Sequence, residues 1–158
     1  MRRRSEGVPA GVWGWCVFVY RKILVAFDGS KQSEKALRES CALAKACKAR
    51  VAAIFVAEQL PLPRARDVGI EMVEAELSRM GALELRKASA IAGKAGVKLE
   101  QVYAAGSPAE EILRHAEKGG FDLVAVGVRG IGGVKRLLLG SVSGDVVHRA
   151  HCAVLVVK

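Results

Sequence analysis

Five short apolar runs, set apart by segments of helical periodicity or by turns, constrain this chain more than any other feature. The runs are Lys22–Asp28, Arg50–Ala57, Lys98–Ala104, Phe121–Gly127 and Ala153–Val157. Each is the length of a buried strand. Between the first two, from Lys31 to about Lys48, Ala36, Leu37, Cys41, Leu43, Ala44 and Cys47 recur at helical spacing. Residues 58–68 carry Pro61 and Pro63 and read as a loop. A long helix follows from about Gly69 to Ala95, marked by Ile70, Val73, Leu77, Met80, Ala88 and Ile91 and stopped by Gly96. Ser107-Pro108-Ala109-Glu110 reads as a helix start, with a Ser cap, Pro at the first helical position and Glu at the third. Gly119-Gly120 stops that helix, and a short one runs from about Ser141 to Arg149. Connections of this length make right-handed crossovers between parallel strands. The expected fold is α/β: one doubly wound domain with a five-stranded parallel sheet and four helices. Such a sheet takes its ligand at the carboxyl ends of the strands, where the strand order reverses. Two turns fall there: Asp28-Gly29-Ser30, and the loop opened by Gly127.

Composition narrows the ligand. Hydrophobic residues are 51% of the 158 and aromatics only 5%, so the core must be built from Val, Leu, Ile and Ala. That suits a sheet buried on both faces rather than a base-stacking surface. The net charge is +9, and Arg2, Arg3, Arg4, Arg21 and Lys22 gather at the amino end against a single acid, Glu6. The rest is mildly basic, which suits anionic ligands. No Lys/Arg stripe is interleaved with aromatics, so no nucleic-acid partner is expected. Cys16, Cys41, Cys47 and Cys152 form no C-x-x-C pair. They read as small hydrophobes in a reducing cytoplasm, not as a zinc or redox motif.

Residues 1–20 stand apart. Arg2-Arg3-Arg4 ahead of the apolar Val12–Tyr20 has the outline of a signal peptide, but no small-x-small cleavage site follows. The run is too short to span a membrane, so no membrane partner is expected. The segment reads as a disordered extension or the product of a start codon assigned too far upstream, leaving residues 21–158 as the domain.

The segment Gly127-Val-Arg-Gly130-Ile-Gly132-Gly133-Val-Lys-Arg-Leu-Leu-Leu-Gly140-Ser141-Val142-Ser143 is the strongest site signal. Glycines let a backbone approach a ligand closely. Gly140-Ser141 opens a helix, whose unpaired N–H groups and dipole attract anions. Ser141 and Ser143 add hydroxyls, and Arg129, Lys135 and Arg136 add positive charge. The bland alternative is a loop in which Ser141 merely caps the helix. Asp28, closing the first strand, suits a ribose hydroxyl, with a turn-forming role as its alternative.

The spacing Gly127-x2-Gly130-x9-Gly140-Ser141 resembles that of the ATP-binding branch of the universal stress protein family. Lys22-Ile-Leu-Val-Ala-Phe-Asp-Gly-Ser30 resembles that family's opening strand, and Leu138-Leu-Gly-Ser-Val-Ser143 followed by Ala153–Val157 resembles its close. The likeness runs from Arg21 to Lys158. It implies a Rossmann-like sheet in the order 3-2-1-4-5, related to the adenine nucleotide alpha hydrolases. It also implies an adenine nucleotide, ATP or else ADP or AMP, accompanied by Mg2+ or Mn2+ on the phosphates. Asp28 would bind ribose or adenine. Ala26, Val56 and Val126 would line the adenine pocket. Gly127, Gly130 and Gly140 would let the backbone wrap the phosphates, with Ser141, Val142 and Ser143 meeting them at the helix start and Arg129 nearby. A homodimer through the last strand, about Ala153–Val157, is implied as well. Val128 departs from a usual Ser or Thr, and Ala153 from a usual Pro.

Other chemistries lack their residues. There is no Walker sequence, no Ser-Gly-Gly-x-Asp-Ser loop and no Gly-x-Ser-x-Gly elbow. His148 and His151 have no evident third ligand, and read with His115 as polar helix positions. Glu71, Glu74 and Glu76 read as a solvated helix face. No general base is aimed at a γ-phosphate. The expectation is therefore a nucleotide-dependent regulatory protein with little or no turnover. Its rivals are a slow ATPase or phosphotransferase using Ser141 or Ser143, and a dimeric adaptor indifferent to nucleotide.

Overall fold

A computed structural model describes residues 19–58, 70–128 and 139–158; the side chains of Ile70 and Glu71 are not described. The elements alternate throughout. They are β1 Lys22–Ala26, α1 Lys31–Cys47, β2 Arg50–Glu58, α2 Ile70–Lys94, β3 Leu99–Gly106, α3 Pro108–Lys118, β4 Leu123–Gly127, α4 Ser141–Arg149 and β5 Ala153–Val157. All strand pairs are parallel, in the order β3-β2-β1-β4-β5. This is the doubly wound sheet expected, with β1 and β4 adjacent at the point where the winding reverses.

Alternation along the strands divides the core between two layers of helices. Ile23, Val25, Phe27, Val51, Ala53, Leu123 and Ala125 pack under α1 and α2 through Leu37, Cys41, Leu85 and Ala88. Leu24, Ala52, Ile54, Val124 and Val126 pack under α3 and α4 through Ala109, Ile112, Ala116 and Val146. Burying each such Leu, Ile or Val side chain contributes roughly 1.5–3 kcal/mol before the entropy cost of ordering it. The central strands β1 and β4 are buried on both faces, whereas β3 has only Ala104 buried among exposed and half-buried residues, as an edge strand does. Cys41 and Cys47 are buried free thiols and Cys152 is half-buried, and burial pushes the Cys41 thiol pKa up.

Two local expectations change. β1 ends at Ala26 rather than Asp28, although the Phe27 N–H still donates to the Ile54 carbonyl at 2.9 Å. Ser107 stands at the cap position of α3 with Pro108 behind it, but its side chain makes no capping bond. Glu110, the third helical residue, turns instead to Arg149 on α4, with contacts of 2.5 and 3.0 Å. The ion pair braces α3 against α4, which is a stronger claim on the carboxylate than a single backbone N–H. No helix among the described residues is long and apolar enough to cross a membrane.

Candidate functional site

Both sequence-marked turns lie at the carboxyl ends of adjacent strands, β1 and β4. After β1 the chain bends through Asp28, whose Oδ1 accepts the Ser30 N–H at 2.9 Å. This is the short turn an Asp makes with the backbone two residues on. Ser30 caps α1: its Oγ accepts the Ser33 N–H at 3.1 Å, and the Ser33 hydroxyl donates back to the Ser30 carbonyl at 2.9 Å. Between them Gly29 has φ +81°, and any Cβ there would stand 2.3 Å from Glu84 Oε2. Glu84 reaches over from α2. Its Oε1 takes the Lys87 ammonium at 2.6 Å, while its buried Oε2 has no hydrogen-bond partner among the described residues. A carboxylate there faces the positive end of the α1 dipole.

The second turn is closed differently. The Val128 N–H donates to the Val157 carbonyl at 2.8 Å, which ties the end of β4 to the end of β5. The Gly140 N–H donates to the Val128 carbonyl at 2.9 Å, so the two ends of the intervening loop are joined at its base. Ser143 completes the clasp: its hydroxyl is 3.0 Å from the Gly140 carbonyl and 3.1 Å from the Val128 carbonyl. The side chain is buried inside the clasp and faces the protein. Gly140 caps α4 with no side chain, and the Gly144 N–H closes the first helical bond to the Gly140 carbonyl at 2.7 Å. The backbone N–H groups of Ser141, Val142 and Ser143 have no acceptor among the described residues. Ser141 is exposed beside them. No acidic residue stands in that first turn. Three consecutive donors and a helix dipole, with no carboxylate to quench them, form an anion-binding surface.

The apolar candidates converge. Ala26, Val56, Val126 and Val142 all belong to, or pack against, the cluster under α3 and α4. They put an apolar wall on the carboxyl side of β1, β2 and β4. Gly127 has a further reason to be glycine. A Cβ there would come within 2.8 Å of Gln32 Cβ and 3.1 Å of the Ser33 nitrogen, so α1 sits directly on the end of β4. Arg129, Gly130, Lys135 and Arg136 lie outside the described residues.

Sequence reasoning did not find the inward turn of Ser143, the Glu84 carboxylate over Gly29, or the contact between Gly127 and α1. Each depends on residues far apart in the chain. No group of three or more His, Cys, Asp or Glu side chains placed to hold a metal occurs among the described residues. The donors around Gly140–Ser143 are N–H and O–H groups, which suit an anion.

Comparison with known proteins settles the family. The model of the universal stress protein family matches residues 19–158. The chain belongs to that family. It is 37% identical over 148 residues to the universal stress protein YxiE of Bacillus subtilis, covering 89% of this chain and 100% of that protein. Among solved structures, the universal stress protein UspA of Lactobacillus plantarum superposes with a TM-score of 0.76 at 25% identity, covering 88% of this chain and 98% of that one. A universal stress protein solved in complex with cAMP superposes with a TM-score of 0.70 at 25% identity, covering 89% and 98% of the two chains.

Proposed function

We propose that this universal stress protein binds ATP at the carboxyl ends of β1 and β4 and serves as a nucleotide-dependent regulatory protein. One observation carries the reading. The start of α4 offers three consecutive N–H donors with no acceptor among the described residues, and the Ser141 hydroxyl, directly past Gly140 and one strand away from Asp28. The phosphates lie at Gly140, Ser141 and Val142; Arg129 and Gly130, which the family resemblance assigns to the same ligand, lie outside the described residues. The ribose meets Asp28, and the adenine rests on Ala26, Val56 and Val126. Ser143 acts by holding Gly140 to Val128, so its hydroxyl shapes the phosphate cradle. The complex with cAMP seen in a related protein supports an adenine nucleotide as the ligand class. Mg2+ or Mn2+ enters with the phosphates and offsets their charge.

No base aimed at a γ-phosphate stands among the described residues of the site, so turnover is slow or absent. Residues 1–20 are an extension to the domain at 21–158. The setting is cytoplasmic, which suits the buried free thiols. The exposed edge of β5, Ala153–Val157, pairs with the same strand of a second copy. An unpaired apolar edge strand is a ready template for such pairing.

Equilibrium dialysis of the full chain against ATP with Mg2+ tests the proposal. Saturable binding is expected, weakened at least about tenfold by Asp28→Ala or Gly130→Val. No binding at millimolar ATP would overturn it.

A further inference from the structure

The opposite end of the same sheet face carries a second pocket. Lys22, Arg50 and Glu100 begin or nearly begin β1, β2 and β3, and the strand register aligns Lys22 with Arg50 and Ala52 with Glu100. Side chains at these positions share the α3/α4 face, because Leu24 and Ala52 on the same alternation lie in that core cluster. The end of α3 closes over them. The result is a cavity of about 170 Å³ lined by Lys22, Arg50, Val51, Ala52, Glu100, Gly119 and Phe121. Along β1 the four residues from Lys22 to Ala26 put it about 13 Å from the adenine wall, behind the buried Leu24.

The polar groups there are arranged unequally. The Lys22 ammonium donates to the Gly119 carbonyl at 2.6 Å and lies 5.8 Å from the centre of the Phe121 ring, so it is fixed in place. Among the described residues its other two N–H donors have no partner. The Arg50 guanidinium takes part in no hydrogen bond or ion pair with the described residues. Asp122 does not neutralise either cation directly, because its carboxylate accepts the backbone N–H groups of Arg21 and Lys22 at 2.9–3.1 Å. Exposed Arg21, Lys98 and Lys118 stand at the same end, on residues flanking these elements. Glu100 is the one carboxylate lining the cavity.

We propose that this pocket is a second ligand site, for a small hydroxylated anion: a phosphate or carboxylate held by Lys22 and Arg50, with a hydroxyl donated to Glu100. Two cations on one wall bind the anionic group, and a charged pair of this kind recognises phosphate and carboxylate alike. The carboxylate opposite repels a bare anion and accepts from a ligand that brings its own donor. Phe121 and Ala52 give the carbon skeleton an apolar surface. The site is independent of the nucleotide reading, since it shares no residue with it.

The test is an amide-resolved NMR titration of the full chain with glycerol 3-phosphate, D-glycerate and inorganic phosphate, each with and without saturating ATP. The expected result is saturable shifts at Lys22, Arg50, Glu100 and Phe121, unchanged by ATP. Arg50→Ala should weaken glycerol 3-phosphate about tenfold, the value of one charge-assisted contact. Glu100→Gln should strengthen inorganic phosphate while narrowing the preference for glycerol 3-phosphate over it. Preference between the phosphate and carboxylate probes assigns the anion type. Four outcomes would overturn the proposal: no saturable shift; shifts confined to residues 140–144; shifts that survive Arg50→Ala; or unsaturable shifts spread over Arg21, Lys98 and Lys118, which mark general counter-ion attraction.

Discussion

α1 and α4 both begin at the carboxyl end of the sheet, and they begin in opposite ways. The start of α1 is capped by its own chain, with only the Lys31 and Gln32 N–H groups lacking an acceptor among the described residues. Asp28 takes the Ser30 N–H, Ser30 takes the Ser33 N–H, Glu84 lies over Gly29, and Gly127 presses on Gln32 and Ser33. The start of α4 is left open. Its cap is a glycine without a side chain, its one buried hydroxyl is used below the helix at Val128, and three N–H donors point away with nothing described to accept them. A helix start that the fold satisfies is a structural joint. One that the fold holds rigid from behind and leaves unsatisfied in front is a receptor for an anion. The two starts sit on adjacent strands, so the closed one can present Asp28 rigidly to whatever the open one holds.

The largest effect expected from this contrast is at Ser141. Ser141→Asp puts a carboxylate among the open donors of α4. It should weaken ATP about a hundredfold, since a like charge near the phosphates costs on the order of 2.7 kcal/mol or more at the effective dielectric of a protein surface. The same change should raise the stability of the ligand-free protein by about 0.3–1 kcal/mol, because an acid at a helix start is favourable. Calorimetric titration and urea unfolding read the two effects separately. Equal ATP affinity in both proteins would mean that α4 is not the phosphate site.

Gly127→Ala comes next. The added methyl meets the backbone of the first turn of α1 and should cost about 1–3 kcal/mol, seen as a lower urea midpoint without ligand. An unchanged midpoint would show that α1 moves aside freely, and that this end of β4 is less tightly fixed than the contact distances imply. Ser30→Ala should cost about 1 kcal/mol through the lost cap while leaving ATP affinity within about twofold. A large loss of affinity from Ser30→Ala would break the contrast, since the closed start would then be contacting the ligand itself.

The fold was legible because it rests on local periodicities. Each strand run and each helix stripe is a property of consecutive residues, so the nine elements among the described residues and their parallel winding follow without knowledge of the core. The positions of the two candidate turns in the fold were legible for the same reason: Asp-Gly-Ser and Gly-Ser mark ends of strands and starts of helices. The directions of individual polar groups were not. Ser141 and Ser143 look equivalent in the sequence, yet one is exposed and the other is buried in a clasp, because only the latter lies over the Val128 carbonyl, 15 residues earlier. Glu110 sits where a helix start needs an acid, and Arg149, 39 residues on, takes it instead. Lys22, Arg50 and Glu100 become neighbours only through strand register, which no single segment reveals.

The Glu110–Arg149 pair supplies the smallest effect, and its sign is fixed by where the acid titrates. The hydrogen bond from Arg149, and then its charge, hold the Glu110 carboxyl below the usual carboxylate range. In the unfolded chain the same group returns to about 4.3. The pair therefore adds stability at pH values above that figure and loses it as pH falls through the lower folded value, where the folded state must also take up the proton. Both side chains are about half exposed, 58% for Glu110 and 48% for Arg149, so solvent screens most of the attraction. Glu110→Gln should accordingly lower the urea midpoint slightly at neutral pH and by a smaller amount near pH 3, with the two proteins converging as acid is added. Glu111, also held low by its hydrogen bond to Arg114, titrates in the same window, but it is present in both proteins and leaves the difference between them. A midpoint difference that grows on acidification would mean that Glu110 contributes to folding through something other than its charge. In that case α4 would be held by the packing of Val142 and Val146 and by the Ser143 clasp, and the open helix start proposed for the phosphates would owe nothing to the brace behind it.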